Sequence, residues 1–125
     1  MNELTIESLV KDRRVAFVFG DPAGAKAMIA VWKLFSKNGS AILLSDRQQS
    51  FYNDLSVNVT LVISKSDLFS KLDSFGPQVI FTGTSFPASL EINSLKYAQN
   101  KNISSASFID HWTNMKLRFI EKNDN

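Results

Sequence analysis

Five consecutive apolar residues, Val15-Ala16-Phe17-Val18-Phe19, run into Gly20-Asp21-Pro22 and then into a segment with helical spacing. A run this short and this rich in β-branched and aromatic residues reads as a strand, and its lack of polar alternation reads as burial on both faces. Strands covered on both faces belong to parallel sheets held between helices, so this stretch constrains the fold more than any other. Gly20 ends the strand, Asp21 is a good N-cap and Pro22 suits the first helical position. Residues 23–37 keep helical spacing, with Gly24, Met28, Val31 and Phe35 along one face.

The rest of the chain repeats this alternation. Asn38-Gly39 reads as a helix C-cap, Ala41 to Leu44 as a second strand ending in Ser45-Asp46-Arg47, and residues 48–55 as a short helix. Val57, Val59, Leu61 and Ile63 alternate with polar neighbours and predict a third strand nearer the sheet edge. Ser64 or Ser66 caps a helix carrying Leu68, Leu72 and Phe75, stopped by Gly76-Pro77. Val79 to Thr82 is the fourth strand, and Gly83-Thr84-Ser85-Phe86-Pro87 leads to a helix over about 88–99 with Ala88, Ile92, Leu95 and Gln99 on one side. Ser105 to Ile109 is the fifth strand, ending in Asp110-His111-Trp112. Met115, Leu117, Phe119 and Ile120, mixed with Lys116 and Arg118, read either as a final helix packed on the sheet or as a segment that docks elsewhere.

Strands alternating with helices predict a three-layer α/β domain, an open sheet of five parallel strands in the order 3-2-1-4-5 with helices on both faces. Residues 1–125 form one domain, with 1–13 as an N-terminal extension and 121–125 as a polar tail. In this order strands one and four are neighbours where the winding reverses, so the turns at Gly20–Gly24 and Gly83–Ser85 flank one crevice at the carboxyl edge, the place where ligands bind in such sheets. Asp110, His111 and Trp112 end the fifth strand on the same edge.

The candidate residues follow from that convergence. Free N–H groups and the helix dipole make the Gly20–Gly24 turn competent for an anion, with close packing of helix on sheet as the alternative. It matches neither the G-x-G-x-x-G dinucleotide fingerprint nor the G-x-x-x-x-G-K-[ST] phosphate loop. Asp21 at this turn repels a bare phosphate and favours a sugar or nucleoside. Lys26, in the first helical turn, opposes the dipole, so it either faces solvent or answers a bound anion. Gly83 N–H with the hydroxyls of Thr82, Thr84 and Ser85 offers partners for a phosphate or sugar hydroxyl, while Thr84 or Ser85 serves equally well as a helix cap. His111, the only histidine, is a candidate general base with Asp110 to orient it and Trp112 beside it; the alternative is that these residues close the sheet edge.

Composition narrows the function classes. With no cysteine and one histidine, disulfides, thiolate chemistry and multi-histidine metal sites are excluded. The net charge of +2 comes from scattered basic residues, not a stripe, so no nucleic-acid partner is expected. No run approaches the roughly 20 apolar residues of a membrane span. A soluble, cytoplasmic protein with no metal and no resident cofactor is the expectation.

The segments Gly20-Asp-Pro-Ala-Gly-Ala25, Thr82-Gly-Thr-Ser85 and Phe108-Ile-Asp-His-Trp112 resemble the N-terminal half of GT-B-type glycosyltransferases and of the related UDP-N-acetylglucosamine 2-epimerases. The similarity covers residues 14–119 in strand order and motif placement. It implies a Rossmann-like domain on the acceptor side of a sugar-nucleotide enzyme, contributing acceptor contacts and a general base while a second domain holds most of the sugar nucleotide. The 125 residues are expected to hold one domain and not the second. The resemblance therefore implies a fragment, one half of a split enzyme completed by a separate C-terminal-half protein, or a small relative with a binding role. A nucleotide sugar or sugar acceptor is the implied ligand, and a partner or homo-oligomer is expected because one open sheet walls a ligand on one side only.

Overall fold

A computed structural model describes residues 12–35, 40–54, 57–83, 89–110 and 115–120. In chain order the elements are β1 (Val15–Phe19), α1 (Pro22–Phe35), β2 (Ala41–Ser45), α2 (Phe51–Asp54), β3 (Thr60–Leu61), α3 (Lys65–Phe75), β4 (Val79–Thr82), α4 (Ser89–Lys101), β5 (Ser104–Asp110) and β6 (Met115–Ile120). They build one sheet in the order β3-β2-β1-β4-β5-β6. The first five strands are parallel in the expected 3-2-1-4-5 order, and β1 pairs on both sides, Val15 with Ala41 of β2 and with Val79 of β4.

The apolar run of β1 is buried because both faces of the sheet are covered. Val15, Phe17 and Phe19 point into one core with Ala25, Met28, Ile29 and Val31 of α1, while Ala16 and Val18 point into the other with Leu68 and Leu72 of α3 and Leu90, Tyr97 and Ala98 of α4. All five β1 residues are at most 1% exposed. Phe17 stacks on Phe81 of β4, ring centroids 5.8 Å apart, which joins the two strands at the centre of the sheet.

Three expectations are corrected. The segment at 115–120 is neither a helix nor a detached docking segment; it is β6, antiparallel to β5 from Ser105↔Ile120 to Asp110↔Met115. Its apolar residues alternate with Lys116 and Arg118 at the strand period of two, and it satisfies backbone groups that β5 would otherwise leave open at the sheet edge. The third strand is shorter than its alternation implies. Val57 and Val59 pack on the α1 core, but the ladder stops at Leu61, Val62 N–H donates to the Ser45 carbonyl (2.8 Å), and Val62 turns into the opposite core. Leu61 and Ile63 are left 43% and 88% exposed. In α4 the buried stripe is Leu90, Ser94, Tyr97 and Ala98, whereas Ile92 is 48% exposed. Ser94 is accommodated there because its hydroxyl donates to the Leu90 carbonyl one turn back (3.0 Å).

The caps of α3 are as expected. Ser64 Oγ accepts from Asp67 N–H (3.1 Å), and the Asp67 carboxylate accepts from Ile63 N–H (3.0 Å), a reciprocal arrangement of the capping-box kind. Gly76 ends the helix at φ 68°, its N–H donating to Leu72. The hydrogen bond from Lys71, with that from Ile63, holds the Asp67 carboxyl below the usual carboxylate pKa. The Asn38-Gly39 cap lies outside the described residues.

Candidate functional site at the carboxyl edge

The carboxyl ends of β1 and β4 are adjacent, and the turns that follow them meet. Gly83 N–H donates to the Val18 carbonyl (2.9 Å), continuing the ladder beyond Thr82. A Cβ on Gly83 would stand 2.9 Å from Gly24 Cα, so the first turn of α1 rests directly on the end of β4. Two consequences bear on the backbone groups of these turns. The Gly83 N–H is already used by the protein, and at this level the space between the two glycines is filled by backbone. The Thr82 hydroxyl is also engaged, 2.7 Å from Ser107 Oγ across β4 and β5.

Asp21 is the N-cap residue of α1, its carbonyl accepting from Ala25 N–H (2.8 Å). Its carboxylate pairs with Arg47, 2.5 Å from the guanidinium, just past the end of β2. Arg47 also stands 3.6 Å from the Asp46 carboxylate, and its N–H donates to Ser45 Oγ (3.2 Å). The turn after β2 is thereby tied to the turn after β1, with Gln49 Nε2 at 3.4 Å from the Gly20 carbonyl as a longer contact. Lys26 is exposed, and its ammonium lies 5.3 Å from the centre of the Phe51 ring of α2.

Asp110 ends β5, beyond the parallel pairing with β4 that stops at Ser107, and pairs with Met115 of the antiparallel β6. Thr84, Ser85, His111 and Trp112 lie outside the described residues. The structure therefore brings together Gly20, Asp21, Gly24 and Gly83 from the expected set, and it adds groups that the sequence reading passed over. Arg47 is one, since its place after the second strand marks the same edge by the same topological rule. Glu91 is another, a carboxylate 3% exposed in the first turn of α4. An acid there reads in sequence as an ordinary complement to the helix dipole, so nothing flagged its burial. Tyr52 of α2 is a third: it packs edge-on against Phe19 and Phe51, and burial pushes its phenol pKa up, with the Ser45 side chain opposing that shift.

Open space at this edge lies on the α3–α4 side of the sheet. A groove of about 180 Å³ runs between the ends of β2 and β3 and the first turns of α3 and α4. Val62, Ile63, Leu68 and Leu90 form its apolar part, and Asp46, Lys65, Ser89 and Asn93 are among its polar borders. Asp46 directly follows β2 and Val62 directly follows β3, so the groove belongs to the carboxyl edge although it is displaced from the glycine turns.

No protein-family model matches the chain, and no curated protein matches it in sequence. The fold and the site geometry are therefore what bear on function. Among the described residues, no group of three or more His, Cys, Asp or Glu is placed to hold a metal ion, and no helix is long and apolar enough to cross a membrane.

Proposed function

We propose that the chain is a Rossmann-like binding module that takes a nucleotide-type or sugar-type small molecule at its carboxyl edge and performs no chemistry alone. The groove after β2 and β3 carries this reading, because it combines an aliphatic surface with a carboxylate, a carboxamide and a hydroxyl at the edge where such sheets bind ligands. A thermal-shift screen of the isolated chain with nucleosides, nucleotides and simple glycosides tests it. A ligand at a hundred times its Kd stabilises the folded state by about 2.7 kcal/mol, so a binder raises the melting temperature, and no shift with any of them at millimolar concentration refutes the reading.

The engaged Gly83 N–H and the Asp21 carboxylate favour a second, more specific reading within the same frame. A turn built this way is a poor diphosphate cradle, as befits the acceptor-side half of a sugar-nucleotide-dependent glycosyltransferase. On that reading His111 and Asp110 supply the base, and a separate second half grips the sugar nucleotide. The expected result is no turnover alone and sugar transfer on addition of that half. A two-part mixture in which His111→Ala is as active as the parent chain excludes it.

A further inference from the structure

We propose that a groove at the amino edge of the sheet, between the start of β1 and the last turns of α3, binds a small organic monocarboxylate. It lies at the opposite end of the strands from the carboxyl-edge groove and does not rest on that groove's ligand. Arg14 directly precedes β1 and Ile42 comes from β2. Asp67, Ser70, Lys71 and Ser74 recur along α3 at helical spacing, a single stripe beside the buried Leu68 and Leu72. The cavity measures about 350 Å³, within the roughly 300–1,000 Å³ of small-molecule sites.

Arg14 is held in place and only partly used. Its Nε–H donates to the Phe75 carbonyl (2.9 Å), Nη2 donates to the same oxygen, and the guanidinium lies over the Phe75 ring, 4.4 Å from its centre. That carbonyl ends α3 without a partner inside the helix, so the contact is first a helix cap. It engages two of the five guanidinium N–H groups; the other three have no partner among the described residues and keep the fork that pairs with a carboxylate. Ser70 and Ser74 are exposed and make no hydrogen bond among the described residues, unlike Ser94, whose hydroxyl is taken up by its own helix. The other two charges of the groove cancel. Asp67 accepts from Lys71 on one oxygen and from Ile63 N–H (3.0 Å) on the other, which leaves Arg14 as the uncompensated charge of this lining. A phosphate dianion would bring its second charge against Asp67 and the carbonyl end of α3, the negative pole of the helix, whereas a carboxylate matches a single cation. Ile42 and the Phe75 ring are half-buried and offer a surface to the apolar body of the ligand.

The test is a ¹H–¹⁵N NMR titration with benzoate, with benzamide as its neutral counterpart, and with inorganic phosphate, repeated on Arg14→Gln and on the double variant Ser70→Ala/Ser74→Ala. The full chain is used, so that residues 1–11 and 36–39, which adjoin Asp12 and Ser40 and lie outside the described residues, are present. Benzoate is expected to give saturable shifts at the amides of residues 14, 42 and 70–75. Benzamide, phosphate and Arg14→Gln are each expected to weaken binding roughly tenfold or more, the usual loss for a hydrogen bond to a charged group, and the double serine variant about threefold or more. Unchanged amides in β1 and β4 check that each variant folds; should Arg14→Gln lose the fold with its helix cap, the serine variant decides alone. The proposal is overturned if millimolar benzoate shifts none of these amides, if benzamide or phosphate binds as tightly as benzoate, or if either variant, folded, binds benzoate as the parent chain does.

Discussion

Replacing Gly83 with alanine isolates the contact that joins the two glycine turns. The new methyl carbon would lie 2.9 Å from Gly24 Cα and 3.3 Å from its carbonyl carbon and oxygen, against an ordinary carbon–carbon separation of about 3.5–4.0 Å. Every opposing atom is backbone, so no side chain can swing away. Gly83 is fixed on its own side by its hydrogen bond to Val18 (2.9 Å), and the first turn of α1 would have to lift from the end of β4. Overpacking of this kind costs about 1–3 kcal/mol. The loss of backbone freedom in the unfolded chain offsets roughly 0.4–1 kcal/mol of that. A net destabilisation of about 1–2 kcal/mol, or a fall in melting temperature of roughly 4–8 °C, is expected by circular dichroism, with a larger effect for Gly83→Val. Gly76 provides the contrast. A Cβ there meets nothing within 4 Å, but φ is 68°, so Gly76→Ala is destabilising through backbone conformation alone and Gly76→Asn less so. At Gly83 that order reverses, because asparagine is bulkier than alanine. If Gly83→Ala melts at or above the parent temperature, the turns are not in tight contact and backbone does not fill the space between them.

Three further outcomes follow from the described contacts. The chain has two tyrosines, and both phenols are shifted upward in the folded state, Tyr52 by burial and Tyr97 to about 12 by burial together with its hydrogen bond to Asp73 (2.5 Å). The unfolded chain releases these protons first, near pH 10, so their contribution to stability is complete below about pH 10 and is lost as pH rises toward 12. Phenolate absorbance during a pH titration should rise together with unfolding; ionisation of both tyrosines near pH 10 in a chain that remains folded contradicts this. The Asp21–Arg47 pair is about 30% exposed on each side, so a double-mutant cycle with Asp21→Asn and Arg47→Gln should give a coupling of only about 0.2–1 kcal/mol that shrinks with added salt; a coupling of several kcal/mol, insensitive to salt, would mean a buried pair. Ser64→Ala removes the side-chain cap of α3 and should cost about 1 kcal/mol in urea denaturation, whereas Ser66→Ala should have little effect because Ser64 accepts the helix N–H; equal losses would assign the cap wrongly.

Much of the fold is legible in local chemistry. The unbroken apolar run of β1 requires two covered faces, and Ser64 and Gly76 bound α3 through side-chain and backbone geometry that needs no distant partner. Alternating strands and helices then restrict the topology, because right-handed crossovers leave few ways to lay parallel strands side by side. That is enough to place the ends of β1 and β4 together and so to find the edge on which ligand chemistry is sought.

Tertiary structure decided what local pattern leaves degenerate. Val57, Val59, Leu61 and Ile63 alternate correctly for a strand, yet only the hydrogen bond from Val62 to Ser45 determines where the ladder stops and which valine enters the opposite core. The α4 sequence offers two similar apolar stripes, and contact with the sheet selects the one through Leu90 and Tyr97, leaving Ile92 exposed. Whether a glycine turn cradles a ligand or packs on its neighbour depends on how closely residues 59 positions apart, Gly24 and Gly83, approach: here a Cβ on Gly83 would stand 2.9 Å from Gly24 Cα, and no local signal carries that closeness. For the same reason the groove was invisible beforehand: Asp46, Val62 and Asn93 come from separate elements and become one surface only when the helices cover the sheet.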